Sequence, residues 1–262
     1  MRLEFARRSV VVLVMIPLIG TQAFSQSPAA KDSSALTVLA QMAAASGWTA
    51  LSIPKDAVAT GTITANTPTG TQSYPVVFKA RPGNQFRTEF PTRGSVIVVN
   101  GQQGSHISPA GTETVQAFAS YSMRPLMFGF FTILAQFGAP DIGLADLGSE
   151  PSGADTLRRI ELKQLASLGD GLDAPRLLGS RMVVFVSQAT GMPVKIEHNV
   201  ISSANPTAFL AVTDNLSDFR RVGSLIIPFH MEEFADGQRL WSLQLDSVQV
   251  NTGLADSDFD VK

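Results

Sequence analysis

The 262 residues contain no cysteine. No disulfide staples the fold, so it must rest on a hydrophobic core of ordinary size, which a chain of this length supplies. The same absence excludes an N-terminal lipid-modified cysteine. Charge is sparse: 16% of residues are charged, the formal net charge is −2, and Lys and Arg form no cluster. Nucleic acid is therefore excluded as a main partner, because phosphate binding needs clustered cations. Long apolar runs are short of what a membrane helix needs, roughly 20 residues.

Catalytic patterns are equally thin. There is no Gly-x-Ser-x-Gly elbow. Gly104-Ser105-His106 sets a serine beside a histidine, but neighbouring residues of a strand face opposite ways and cannot form a relay. The three histidines, His106, His198 and His230, are scattered. His230 and Glu232 share a strand face at i, i+2, but a metal needs at least one more convergent ligand. Asp256-Ser-Asp-Phe-Asp260 begins like a calcium loop, yet lacks that loop's glycine and distal glutamate; it reads as a solvated tail. Glu89, Glu161, Glu197, Glu232 and Glu233 sit in strand-like contexts and read as the solvated phase of a half-exposed sheet. The expectation is no enzyme activity, no cofactor and no metal.

What is present begins with an export signal. Residues 1–25 carry Arg2, Arg7 and Arg8 against Glu4, then an apolar core from Val10 to Ile19, then small residues suited to cleavage after Ala23 or Ser25. Arg7-Arg8 invites a twin-arginine reading that the following residues do not complete. Removing the signal takes the net charge from −2 to −4. Residues 26–34 read as a flexible leader, and 35–262 as a single domain of an exported, soluble protein.

Leu36, Leu39, Ala40, Ala43 and Ala44 recur at helical spacing, with Ser33 or Ser34 as cap and Gly47 as stop. From Ala57 the pattern turns to short Val/Ile/Thr/Phe runs separated by Gly, Pro and Asn, the mark of an antiparallel meander. Strands are expected at 57–64, 72–80, 85–89, 95–100 and 103–108. Residues 111–119 read as a short helix or loop and 141–155 as a loop. Strands resume at 157–165, 182–187, 194–200, 208–213, 216–221, 225–235 and 238–251. Asn100-Gly101 and Asp236-Gly237 are hairpin signals. The phase of apolar residues shifts between Leu245 and Val248, which predicts a bulge near Asp246-Ser247. The tail 256–262 reads as marginally ordered.

The most apolar run of the mature chain is Met123–Phe137. Met127, Phe130, Phe131, Leu134 and Phe137 form one helical stripe, while Leu126, Phe128 and Ile133 spread to other sides. The fold class is thus α+β, mainly β: a strongly curved antiparallel sheet covered by an N-terminal helix and an apolar lid helix.

Tyr74-Pro-Val-Val-Phe-Lys-Ala-Arg-Pro-Gly-Asn-Gln-Phe-Arg, the hairpin Ser95-Val-Ile-Val-Val-Asn-Gly-Gln-Gln, and Ser105-His-Ile-Ser-Pro resemble the periplasmic lipoprotein carriers of the LolA/LolB type. Asp218-Phe-Arg-Arg-Val-Gly, Ile227-Pro-Phe and the segment 248–259 look like the closing strands of lipoprotein-sorting-like envelope proteins. The resemblance implies an incomplete β-barrel whose apolar concave face holds acyl chains of lipid or lipoprotein. It implies periplasmic location, envelope transport or outer-membrane proteins as further partners, and a monomer. The ligand-binding residues would be Leu126, Met127, Phe128, Phe130, Phe131, Leu134 and Phe137 of the lid, with Phe78 and Trp241 of the sheet. Arg81 matches the position that latches barrel to lid. Here Ala80 intervenes between Lys79 and Arg81, and a one-residue slip turns a side chain to the other face unless a bulge restores it.

Three functional readings stand at this point. The first is a non-enzymatic carrier of acyl chains, with Met adapting the lid to irregular partners. The second is a structural envelope protein with an unloaded cavity that binds a partner through a strand edge. The third is an envelope hydrolase, which requires His106 or His198 to converge with a serine and an acid.

Overall fold

The computed structural model describes residues 31–48, 54–67, 70–82, 84–122, 137–139, 142–164, 173–202 and 205–262. Residues 1–25, read from sequence as an export signal, and all of the apolar segment except Phe137 lie outside the described residues.

Helix α1 (Ser33–Ala45) buries Ala35, Leu39, Met42 and Ala43. Its cap is Asp32, one residue ahead of the serines expected from sequence: the carboxylate accepts from the Ser34 amide at 2.8 Å. The last leader residues are therefore part of the fold, and Lys31 Nζ donates to the Ala139 carbonyl at 2.6 Å. Gly47 (φ +74°) ends the helix, its missing Cβ allowing the Ser224 carbonyl to sit where that atom would be, 1.9 Å away.

Among the described residues thirteen antiparallel strands follow: β1 (Ala57–Thr67), β2 (Gly70–Arg81), β3 (Gln85–Phe90), β4 (Ser95–Asn100), β5 (Gln103–Ser108), β6 (Gly111–Val115), β7 (Ile142–Ser152), β8 (Asp155–Gln164), β9 (Met182–Ser187), β10 (Pro193–Ser202), β11 (Asn205–Val222), β12 (Leu225–Ala235) and β13 (Gln238–Val250). They form one sheet in the order β6-β5-β4-β3-β2-β1-β13-β12-β11-β10-β9-β8-β7. Pairing of the first strand with the last makes the sheet continuous across the chain's two halves, and β6 and β7 remain as its edges. Short helices α2 (Ala117–Ser122) and α3 (Asp173–Ser180) pack on each other and on β10.

Several expectations need correction. The supposed loop 141–155 is largely β7, where Gly148 (φ +84°) sits in a register break between Asp146 and Ser149. Glycine and proline are tolerated there because β7 is an edge strand. Residues 111–115 form β6, the other edge. The two strands expected within 208–221 are one 18-residue strand, since ladders to β10 and β12 override the polar Asp214-Asn215 step. The bulge near Asp246 is present: Thr60 pairs Ser247 while Gly61 pairs Leu245. Asp236-Gly237 has positive φ at both positions, as a type I′ turn requires. In the Asn100–Gln103 turn, Gly101 is the central residue with positive φ.

The tail is not marginal. Residues 256–259 form a 3₁₀ turn with Phe259 fully buried. It packs over β3 and β4, where Asn100 Nδ2 donates to the Phe259 carbonyl at 3.3 Å.

Candidate ligand-binding face

Alternation fixes which side chains meet under α1. In β12, Leu225, Ile227, Phe229, Met231, Glu233 and Ala235 all point to the buried side. The same inner face carries Phe78 of β2, Leu243 and Leu245 of β13, Leu216 of β11, Ile196 of β10, Val184 of β9 and Ile160 of β8. All belong to one apolar cluster that also takes in α1. Phe78 is buried in that cluster, and Trp241 and Phe137 pack against it half-buried. The structure thus brings the three described members of the expected ligand-binding set to one core. Leu126, Met127, Phe128, Phe130, Phe131 and Leu134 lie outside the described residues.

Arg81 lies elsewhere. β1 pairs with β2 through Ala80 and β3 pairs with it through Arg81, both without a break in register, so the slip caused by Ala80 is not undone. Arg81 faces away from Phe78 and Ala80: its guanidinium donates to Asp256 at 2.6 Å and lies 5.2 Å from the Phe259 ring centroid. Beside it Lys79 Nζ reaches Asp258 at 2.8 Å, which raises Lys79 and lowers Asp258 from their ordinary values. The described side-chain partners of the Lys-Ala-Arg motif are therefore Asp256, Asp258 and Phe259 of the C-terminal turn and, for Lys79, also Glu89 of β3 at 3.4 Å, all on the outer face.

The inner face has a polar island. One cross-strand row runs Trp241, Glu233, Asp214, Ile196, Val184, each opposite the next. His198, two residues beyond Ile196 on the same face, is diagonal to Asp214. His198 Nε2 and Asp214 Oδ2 lie 3.1 Å apart, and Trp241 Nε1 donates to Glu233 Oε1 at 2.7 Å. All three ionisable residues are buried. Burial, and then the negative charge of Asp214, push the Glu233 carboxyl up to about 7, against the opposing pull of His198 and the Trp241 hydrogen bond. One ligand-type atom from each of His198, Asp214 and Glu233 falls within 4.8 Å of the others.

The expectation that Glu233 belongs to the solvated phase is thus overturned, and the pairing singled out from sequence is not the one that converges. His230 sits 4.0 Å from Glu232 on the outer face and bonds Gln244 at 3.1 Å. His106 meets Ser95 Oγ at 2.9 Å, with the fully buried Ser105 on the opposite face. The signal for the island was in the sequence: His198, Asp214 and Glu233 each occupy the phase of Ile196, Leu216 and Met231, where alternation calls for an apolar residue.

No protein-family model matches the chain, and no curated protein matches it. Solved structures do. The chain is similar to an outer membrane lipoprotein-sorting protein domain from Vibrio parahaemolyticus, with 15% identity over 86% of this chain and 95% of that one and a TM-score of 0.58. It is similar to a LolA superfamily protein from Nitrosomonas europaea, with 16% identity over 86% and 97% and a TM-score of 0.59. A DUF1329 family protein from Desulfovibrio piger gives 11% identity over 87% and 96% and a TM-score of 0.60. An unclosed antiparallel sheet whose first and last strands pair, with an N-terminal helix across its inner face, gives this chain the LolA-type fold.

Proposed function

We propose that this protein is a non-enzymatic binder and carrier of acyl chains, from lipid or lipoprotein, acting as a single exported domain in the periplasm, the expected 35–262 extended at its start to take in Lys31 and Asp32. The observation that carries the reading is the inner face: one apolar cluster spans strands β2 through β7 by way of β1 and β13. Transfer of this kind needs an apolar surface and a cover that competes with cargo, and no catalytic group. Phe78, Trp241 and Phe137 belong to the binding surface, completed by Leu126, Met127, Phe128, Phe130, Phe131 and Leu134. Arg81 is left out of the latch role, since its described contacts hold the C-terminal turn.

Native mass spectrometry of the untagged protein purified from its own host tests this. Bound mass matching lipid or acylated peptide is expected. Phe130→Asp and Phe131→Asp should abolish binding of a fluorescent lipid-tail probe while the far-ultraviolet circular dichroism stays unchanged. A wild-type protein that carries no lipid and does not bind the probe overturns the reading in favour of a scaffold with an unloaded interior.

A further inference from the structure

We propose that His198, Asp214 and Glu233 are the protein ligands of a divalent metal ion of the zinc class, seated on the inner face of the sheet. The site does not depend on the acyl-chain reading.

The first ground is convergence. Three residues from three adjacent strands, β10, β11 and β12, each bring a nitrogen or carboxylate oxygen to within 4.8 Å of the other two. Ligands about 2.0–2.2 Å from a zinc ion are separated from one another by less than this, so a small inward movement of side chains closes the set. Imidazole with carboxylates is a donor set that first-row divalent cations accept, and three protein ligands leave one position open.

The second ground is unmet hydrogen bonding. His198 Nδ1, Asp214 Oδ1 and Glu233 Oε2 are each sealed from solvent and have no hydrogen-bond partner among the described residues. A neutral imidazole carries one donor and one acceptor nitrogen, and an ionised carboxylate only accepts. With both carboxylates ionised, the cluster holds five acceptor atoms against two N–H donors, one from the imidazole and one from Trp241 Nε1. Rearranging those three residues among themselves cannot satisfy them, and buried polar groups are rarely left so. A cation bound among these side chains supplies a further partner for the imidazole and carboxylate lone pairs that the two N–H groups leave over.

The third ground is orientation. Trp241 Nε1 fixes Glu233 by one oxygen and leaves the other without a partner among the described residues. Hydrogen bonds of this kind, from outside the ligand set, hold metal ligands in place. The surroundings are apolar, with Met231, Leu216, Ile196 and Met182 in the same core cluster. A third donor would otherwise come from a proton or water held in the island, and the experiment separates that outcome.

The full mature chain, untagged and stripped with chelator, is titrated with Zn²⁺ by calorimetry, and bound metal is counted by mass spectrometry after gel filtration. One equivalent is expected. Co²⁺ in its place should give the visible absorption of a four-coordinate nitrogen/oxygen site. His198→Ala and Glu233→Gln should each weaken binding at least about 100-fold, whereas His106→Ala and His230→Ala should leave affinity and stoichiometry unchanged. Should the island variants fail to fold, the wild type still decides: its melting temperature must rise with Zn²⁺ concentration, as binding to the native state alone requires. No saturable binding, or binding removed by His106→Ala or His230→Ala, refutes the site and leaves a proton or water as the third donor.

Discussion

Truncating Phe259 to alanine should destabilise the whole sheet, although the residue lies only three positions before Lys262. Its side chain has 0% exposure, whereas Asp256 of the same turn is almost wholly in water, with 98% of its side chain exposed. Removing a buried phenylalanine costs about 3–5 kcal/mol through lost transfer energy and the cavity left behind. The Arg81 guanidinium, 5.2 Å from the ring centroid, adds about 0.5–1 kcal/mol at a partly exposed site. Against a total stability of roughly 5–15 kcal/mol this is a large fraction. Urea unfolding followed by tryptophan fluorescence and by circular dichroism should show a lower midpoint at unchanged slope. Asp256→Ala, which removes an exposed ion pair with Arg81, should leave the midpoint near wild type. A Phe259→Ala midpoint within error of wild type would falsify the reasoning, because it would mean the turn frays in solution and contributes no burial.

Further expectations concern other joints of the structure. Burial pushes Asp56 up, but hydrogen bonds from the Thr252 hydroxyl and the Thr252, Gly253 and Leu254 amides outweigh it and hold the carboxyl below its ordinary range. Its stabilising contribution is present above the unfolded value, about 3.9, and is lost as pH falls through the depressed folded value. The melting-temperature gap between wild type and Asp56→Asn should therefore narrow only in that acid window, and a gap that is constant down to pH 2 argues against the carboxylate's role. Gly47→Ala should cost at least about 2 kcal/mol, combining left-handed backbone strain with a Cβ placed 1.9 Å from the Ser224 carbonyl oxygen. Denaturant titration checks it, and a loss below 0.5 kcal/mol on the ~1 kcal/mol scale of such effects would show that the close approach is absent. In Trp48→Phe protein Trp241 is the sole tryptophan; adding a lipid-tail probe should shift its emission to the blue, and unchanged emission at saturating probe would remove Trp241 from the binding surface.

Much of the fold was legible in the chain because the signals were local. The β4 and β5 boundaries, the Asp236-Gly237 hairpin and the bulge at Asp246 follow from alternation and turn chemistry within a few residues. The edge strands β6 and β7 were missed because edges admit glycine, proline and polar residues, which read as loop. The unbroken run of β11 was missed because ladders on both sides, which no local window contains, hold its polar middle in place.

The sequence by itself determined the class of this protein: an antiparallel, mainly β chain with one N-terminal helix and apolar residues on one phase of its strands. Only the tertiary structure decided what lies opposite what. It paired β1 with β13, turned Arg81 outward onto Phe259, and set Glu233 opposite Asp214 with His198 on the diagonal. The physical reason is that a strand's own alternation fixes which face a side chain takes, whereas its neighbours on that face come from strands distant in the chain.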